Sequence, residues 1–276
     1  MKKFLLCTDL DRTLIPNGAA PESPAARECF ARLVGRTEIA LAYVTGRHRA
    51  LIEQAISEFD LPQPDFVIAD VGTSIYQISP SGWELWGGWD ARIGSDWQGS
   101  KHEGLRHLLA VFPALCLQEQ EKQSRHKLSF YVPLELNTQG LLGEIDERLK
   151  YEDIKANLIW SVDEEAGLGL LDILPASASK LHAIQFLIQQ QNFRPENTTF
   201  VGDSGNDLDV LMSDIPAVLV ANADAEVKSL VADANKRTLY IAKGGYLGMN
   251  GNYSAGILEG VAHYWPEVDT WLRGKN

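Results

Sequence analysis

Short apolar runs alternate with helical periods in the first quarter of the chain. Phe4–Thr8 is a continuous apolar run followed by aspartate, which is typical of a strand buried on both faces, and Ile39–Val44 repeats the pattern. Ala25–Leu33 predicts a helix, and the apolar positions from Leu51 to Phe59 share one helical face. Asp65–Ala69 predicts a third strand. This order predicts a parallel sheet with crossover helices.

The same alternation returns near the C-terminal end. The predicted elements are, in order, a helix with Leu181, Ile184, Leu187 and Ile188 on one face, strands at Thr198–Val201, Ala217–Val220 and Leu239–Ala242, and a closing helix at Gly256–Tyr264. The two ends of the chain are therefore expected to build one sheet together.

The middle of the chain has a different character. It contains five of the seven tryptophans and two strand-like stretches, Leu128–Val132 and Gly169–Ile173. We expect an α/β protein with a Rossmann-like, doubly wound parallel sheet from residues 1–79 and 173–276. A smaller α/β unit from residues 80–172 is inserted into it, with linkers near Ser79 and Leu174 acting as hinges.

The charge of the chain excludes several classes of function. Asp and Glu number 37 against 25 Lys and Arg, a net charge of −12, which argues against a nucleic-acid or anionic-membrane surface. The apolar start is interrupted by Asp9 and Asp11, and no segment reaches the roughly 18 apolar residues of a membrane span. We therefore expect a cytoplasmic protein.

Polar residues follow the predicted strands where parallel sheets bind ligands, at the carboxyl ends. Asp9-Leu10-Asp11-Arg12-Thr13 follows the first strand, and Thr45-Gly46-Arg47 follows the second. Lys180 begins a late helix, and Gly202-Asp203-Ser204-Gly205-Asn206-Asp207 follows the strand after it. Because these strand ends meet at one edge, the residues are expected to share a pocket.

Such a pocket predicts phosphoryl-transfer chemistry. Carboxylates this close repel one another unless a cation is present, and their hard oxygens favour Mg²⁺. One aspartate could attack phosphorus, and another could transfer protons. Thr45 and Lys180 could stabilise charge on the phosphoryl oxygens. The predicted metal set comprises Asp9, Asp11, Asp203 and Asp207.

The motifs DLDRT, TGR, a lone lysine and GDSGND occur in this order. Together they resemble the phosphatases of the haloacid dehalogenase superfamily. The resemblance implies that Asp9 is the nucleophile and Asp11 the general acid and base. It also implies that Asp203 and Asp207 bind the metal together with the Asp9 carboxylate.

The same resemblance implies a phosphate-binding set. Thr45 and Gly46 match the phosphate-binding motif, and Lys180 matches its cationic clamp. Asn206 lies in the metal loop, where the resemblance implies that it orients the lysine or supports the metal ligands.

Within the superfamily, the chain resembles the sucrose-phosphate phosphatases along nearly its whole length. The similar stretches are LLCTDLDRT, LAYVTGR, DVGTSIY, HKLSFY and SAGILEGVAHY. The resemblance implies an inserted cap that closes over the site, with Arg47 and Lys127 contacting the sugar. It implies Mg²⁺-dependent hydrolysis of sucrose 6-phosphate in sucrose biosynthesis, with a sucrose-phosphate synthase as a partner. We expect a monomer.

Three alternatives stay open at this point. The first is a phosphatase of another sugar phosphate, such as a glycosylglycerate or amino-sugar phosphate. The second is a phosphomutase, which would pass the phosphoryl group to a sugar instead of water. The third is a non-catalytic sugar-phosphate-binding partner of a synthase, which would not need both Asp9 and Asp11.

Overall fold

The computed structural model describes residues 3–100, 102–163, 166–232 and 237–274. The chain divides into two compact units. The first unit comprises the residues up to Leu85 and from Lys180 onward, and the second comprises Trp86–Ser179.

The strands of the described residues are, in chain order, β1 (Phe4–Thr8), β2 (Ile39–Val44), β3 (Phe66–Ala69), β4 (Ser74–Ser79), β5 (Gly82–Leu85), β6 (Cys116–Leu117), β7 (Leu128–Pro133), β8 (Ala156–Asp163), β9 (Leu168–Pro175), β10 (Thr198–Gly202), β11 (Ala217–Leu219) and β12 (Leu239–Ile241). The α-helices of the same residues are α1 (Ala26–Val34), α2 (Arg49–Glu58), α3 (Gly87–Gly94), α4 (His102–Leu109), α5 (Thr138–Tyr151), α6 (Lys180–Gln191), α7 (Leu208–Leu211), α8 (Ala225–Ala232), α9 (Ser254–Tyr264) and α10 (Pro266–Leu272).

The first unit is built on an eight-stranded sheet in the order β12-β11-β10-β1-β2-β3-β4-β5. The pairs from β12 to β3 are parallel, which confirms the predicted α/β fold with a parallel sheet. Every residue of β1, β2 and β10 is buried, which explains why these strands are continuous apolar runs. The helix α9 packs on β10, β11 and β12, and α6 contacts β3.

The second unit has its own sheet and its own core. Its four strands are antiparallel in the order β6-β7-β9-β8. Trp97 is fully buried against Leu105, Leu128 and Ile173, and Trp89 is also buried in this unit. Trp97 therefore fills this core, as aromatic side chains commonly do in small domains.

The boundaries between the units differ from the predicted ones, 79/80 and 172/173. The hairpin of β4 and β5 pairs with β3 and extends the first unit's sheet to Leu85. Strand β9 continues to Pro175 in the second unit's sheet, where Leu174 pairs with Asn157. Ser79 is the last residue of β4 and Leu174 lies inside β9, so both residues pair with a neighbouring strand, and their action as hinges stays a prediction.

Among the described residues, no helix combines the length and the apolar character needed to cross a membrane.

Close packing between α9 and β11 predicts that replacing one helical glycine with alanine destabilises the protein, the opposite of the usual effect. Replacing glycine with alanine inside a helix ordinarily stabilises it by about 1 kcal/mol. At Gly260, however, the added methyl group would overlap the Val218 side chain of β11. We expect Gly260→Ala to lower the free energy of unfolding by about 1–3 kcal/mol, measured by urea denaturation.

Gly143→Ala is the matched control, because Gly143 is an exposed glycine of α5 whose added methyl group meets nothing within 4 Å. This variant should be as stable as the starting protein or more stable. A Gly260→Ala variant that behaved in the same way would contradict the described packing.

Candidate active site

The candidate site lies at the carboxyl edge of the first unit's sheet. Strand β1 lies between β10 and β2, so the residues that follow these strands are neighbours. Asp9 follows β1, Thr45 follows β2 and Asp203 follows β10. The structure thereby places three of the predicted site residues at one edge of the sheet.

Three aspartates form a buried cluster at this edge. Asp9, Asp203 and Asp207 are 4%, 1% and 0% exposed. Each offers one carboxylate oxygen, and these oxygens all lie within 4.8 Å of one another. Burying three carboxylates so close together is costly unless cationic groups compensate their charge.

Lys180, the first residue of α6, supplies one such charge. Its ammonium group is fully buried and lies 2.6 Å from Oδ1 of Asp207 and 3.4 Å from Oδ1 of Asp9. It also donates a hydrogen bond to Oδ1 of Asn206 at 2.8 Å. Burial lowers the pKa of Lys180, but the attraction of Asp207 and Asp9 outweighs this, and the net pKa is raised. The lysine is therefore held as a cation.

One lysine does not neutralise three carboxylates, and two of these carboxylates have raised pKa values because they are buried and repel one another. Burial, with repulsion from Asp207 and Asp203, raises the pKa of Asp9 to about 8 although Lys180 lowers it. Burial and repulsion from Asp207 likewise raise the pKa of Asp203 to about 7. The cluster would therefore gain from a further cation.

The residues of the cluster fit a divalent cation with a preference for oxygen. All of the ligand atoms are carboxylate oxygens, which suits Mg²⁺ better than zinc. Oδ2 of Asp203 is buried and accepts no hydrogen bond among the described residues, although Nε of Arg12 lies 3.4 Å away. An oxygen of this kind is available as a ligand.

The turn after β10 is organised by Asp207. Its Oδ2 accepts hydrogen bonds from the backbone N–H groups of Asp203 at 3.0 Å and Ser204 at 3.2 Å. Gly202 permits this arrangement, because a Cβ at that position would overlap the Asp207 carboxylate. The turn brings Asp203, Asn206 and Asp207 to the sheet edge together.

Asp11 is not part of the carboxylate cluster, although it was predicted as a metal ligand. Nε of Arg47 donates to its Oδ2 at 2.8 Å, and Nη2 donates to its Oδ1 at 2.6 Å. Asn17 donates to Oδ1 at 2.7 Å. Burial raises the pKa of Asp11, but these hydrogen bonds outweigh it and bring the pKa below the usual range. The carboxylate is thus held ionised by Arg47 and Asn17.

The Thr45-Gly46-Arg47 turn is supported by the loop after β3. The N–H of Val71 donates to the carbonyl of Thr45, and the N–H of Asp70 donates to the carbonyl of Arg47, both at 3.1 Å. Asp70 and Val71 have φ values of 52° and 59°, an uncommon conformation that directs both N–H groups to the turn. The Thr45 hydroxyl and the backbone groups of the turn are therefore held in place by the loop after β3.

Lys127 lies in the second unit, where it is 7% exposed. Its Nζ is 3.9 Å from Oδ2 of Asp172. The structure gives this lysine a carboxylate neighbour in its own unit, and its contact with a sugar stays a prediction.

Four further residues of the site were not given a role from the sequence. Thr13 donates to Oδ1 of Asp203 at 3.1 Å, and Arg12 bridges Asp203 and Asp224. Arg12 and Thr13 lie inside the DLDRT motif, so the motif was a usable signal for them. Asn17 and Asp224 lie in loops, and no spacing in the sequence distinguishes them.

Comparison with known proteins identifies the family. The family model for sucrose-6F-phosphate phosphohydrolase matches residues 2–265. The chain belongs to the sucrose-6F-phosphate phosphohydrolase family.

Relatives of known sequence agree with this family assignment. A HAD-like hydrolase of Nitrosococcus oceani is 53% identical over 275 residues, which cover 98% of this chain and 74% of that protein. The mannosylfructose-phosphate phosphatase of Agrobacterium fabrum is 29% identical and covers 94% of this chain and 96% of its own length. The chain also spans 59% of the length of sucrose-phosphatase 1 of Nicotiana tabacum, at 28% identity.

A solved structure shows the same fold in this family. The sucrose-phosphatase of Synechocystis sp. PCC6803, in complex with sucrose and phosphate, aligns with a TM-score of 0.76 and 28% identity. The alignment covers 96% of this chain and 98% of that chain. The protein is therefore a phosphoric monoester hydrolase of the haloacid dehalogenase type. Its substrate is a sugar phosphate.

The buried ion pairs of Lys180 predict a large cost for removing its charge. Lys180→Met would leave Asp9 and Asp207 buried without their cation. We expect the free energy of unfolding to fall by about 3 kcal/mol, measured by urea denaturation in EDTA.

Lys150→Met serves as the control, since Lys150 is 71% exposed and pairs with Asp146 one turn earlier in α5. Its effect should stay below about 1 kcal/mol. Equal losses in the two variants would contradict the described role of Lys180.

Proposed function

We propose that the protein hydrolyses sucrose 6-phosphate to sucrose and phosphate in a Mg²⁺-dependent reaction, with a phosphoryl group carried transiently on Asp9. The observation that carries the proposal is the buried cluster of Asp9, Asp203 and Asp207 beside the ammonium group of Lys180. Such a cluster combines a nucleophile, hard oxygen ligands and a fixed cation.

In the first step, a carboxylate oxygen of Asp9 attacks phosphorus and the bond between phosphorus and the sugar oxygen breaks. The leaving sugar oxygen takes a proton from the protonated form of Asp11, two residues further along the same loop, which is the minor form in the free enzyme because Arg47 and Asn17 favour the carboxylate. Thr45, Gly46 and the cation of Lys180 stabilise negative charge on the phosphoryl oxygens.

In the second step, water attacks phosphorus and the bond to Asp9 breaks, which restores the free carboxylate. Asp11 accepts the proton of the attacking water. Arg47 and Asn17 already hold Asp11 as a carboxylate, the form that can accept this proton.

Mg²⁺ bound by Asp9, Asp203 and Asp207 would neutralise charge on the transferred phosphoryl group. Asn206 supports this set by accepting a hydrogen bond from Lys180, which keeps the lysine ammonium beside the aspartates.

The choice of substrate rests on the family and its members. The family model describes a sucrose-6F-phosphate phosphohydrolase, and the Synechocystis structure holds sucrose and phosphate. The Agrobacterium relative favours a second candidate, because its name gives mannosylfructose phosphate as substrate. Both substrates are phosphates of disaccharides that contain fructose, so we expect recognition of the fructosyl phosphate portion.

Other assignments stay predictions of the family resemblance. They are substrate selection by the second unit, sugar contacts by Arg47 and Lys127, a sucrose-phosphate synthase partner and a role in sucrose biosynthesis. The cytoplasmic location and the monomeric state stay predictions from the sequence itself.

The test is phosphate release from a panel of sugar phosphates, with Mg²⁺ and with EDTA. The panel comprises sucrose 6-phosphate, mannosylfructose phosphate, glucose 6-phosphate and fructose 6-phosphate. We expect the highest kcat/KM for sucrose 6-phosphate and no release in EDTA. Asp9→Asn should abolish release while its circular dichroism and Tm show a folded protein.

The outcomes separate the alternatives. Preference for mannosylfructose phosphate or a monosaccharide phosphate would keep the chemistry and overturn the substrate. Transfer of the phosphoryl group to another sugar without free phosphate would favour a mutase. Undiminished release by Asp9→Asn would overturn the assignment of the nucleophile.

A further inference from the structure

Asn17 lies in the loop after β1 and makes two hydrogen bonds at once. Its Nδ2 donates to Oδ1 of Asp11 at 2.7 Å, and its Oδ1 accepts from the backbone N–H of Arg12 at 2.8 Å. Arg12 has a φ of 58°, so the chain turns sharply directly after Asp11. The side chain of Asn17 thus connects the turned backbone to the carboxylate that precedes it.

The hydrogen bonds to Asp11 are divided unequally between its two oxygens. Oδ1 accepts from both Asn17 and Nη2 of Arg47, whereas Oδ2 accepts from Nε of Arg47. A carboxylate oxygen has two lone pairs, so the remaining acceptor capacity lies on Oδ2. Without Asn17, the two oxygens would each hold one bond from the Arg47 fork and would be equivalent.

Arg47 holds the carboxylate from a different loop. Its guanidinium group is attached to the loop after β2, and Nη1 of the same group also donates to the carbonyl of Leu51 at 3.3 Å. Asn17 holds Asp11 from within its own loop. Asp11 is thereby fixed between two loops, a condition that proton transfer at a defined atom requires.

We propose that Asn17 is a positioning residue that orients the Asp11 carboxylate between Arg47 and the loop after β1, so that Oδ2 is the oxygen that exchanges protons with substrate and water. The inference rests on the proposed role of Asp11 as general acid and base. Asn17 itself is exposed and need not contact the substrate.

Two variants separate this role from a merely structural one. Asn17→Ala removes both hydrogen bonds. Asn17→Asp keeps an acceptor for the Arg12 N–H but replaces the donor to Asp11 with a negative charge. If Asn17 only supported the backbone of Arg12, Asn17→Asp would behave as wild type.

The readout is kcat/KM for sucrose 6-phosphate and for p-nitrophenyl phosphate. The sugar oxygen needs a proton to leave, whereas p-nitrophenolate leaves without one because its charge is delocalised. We expect Asn17→Ala to lower kcat/KM for the sugar phosphate about fivefold, and Asn17→Asp at least as much. Both variants should retain the wild-type kcat/KM for p-nitrophenyl phosphate.

Asn250→Ala is the matched control. Asn250 is also exposed and also makes one donated and one accepted hydrogen bond, to the carbonyl of Pro21 and from the N–H of Asn252. Neither partner is a side chain of the site, so both kcat/KM values should stay at the wild-type level.

Equal losses of kcat/KM on the two substrates, or wild-type values in Asn17→Asp, would overturn the inference. In either case an active wild-type protein would leave the proposed function in place. A wild-type protein inactive on both substrates would overturn the proposed function, and the inference would fail with it.

Discussion

The structure of the site depends on one electrostatic constraint, the burial of three aspartates beside a single lysine. Lys180 contacts Asp9 and Asp207 with its ammonium group fully buried. Breaking a buried pair of this kind typically costs about 3–5 kcal/mol. The remaining negative charge favours binding of a cation and of the phosphoryl group that the cation would neutralise. Stability and chemistry therefore depend on the same few atoms.

The fold meets this constraint through the order of its strands. The central strands β10, β1 and β2 are fully buried, and their carboxyl ends carry Asp203, Asp9 and Thr45. The first residue of α6 brings Lys180 to the aspartates that follow β1 and β10. A rigid parallel sheet thus positions groups that lie far apart in the sequence, and loops complete the site.

The sequence predicts those parts of the molecule that depend on burial and on strand order. The bounds of β1 and β2 agree with the prediction, because strands buried on both faces form continuous apolar runs. The hairpin of β4 and β5 was missed because both strands are largely exposed or half-buried and show no such run. The partners of Asp11 could not be predicted either. They depend on the left-handed turn at Arg12 and on side-chain directions, which hydrophobic patterning does not encode.

The central claim is that Asp9 carries the phosphoryl group during turnover. The most direct measurement is rapid acid quenching of the enzyme during turnover of ³²P-labelled sucrose 6-phosphate, followed by peptide mapping of the labelled protein. The account predicts acid-stable label in the peptide that contains Asp9, and no label in an Asp9→Asn variant. Rapid phosphate release without labelled protein at any quench time, or label at another residue, would contradict it.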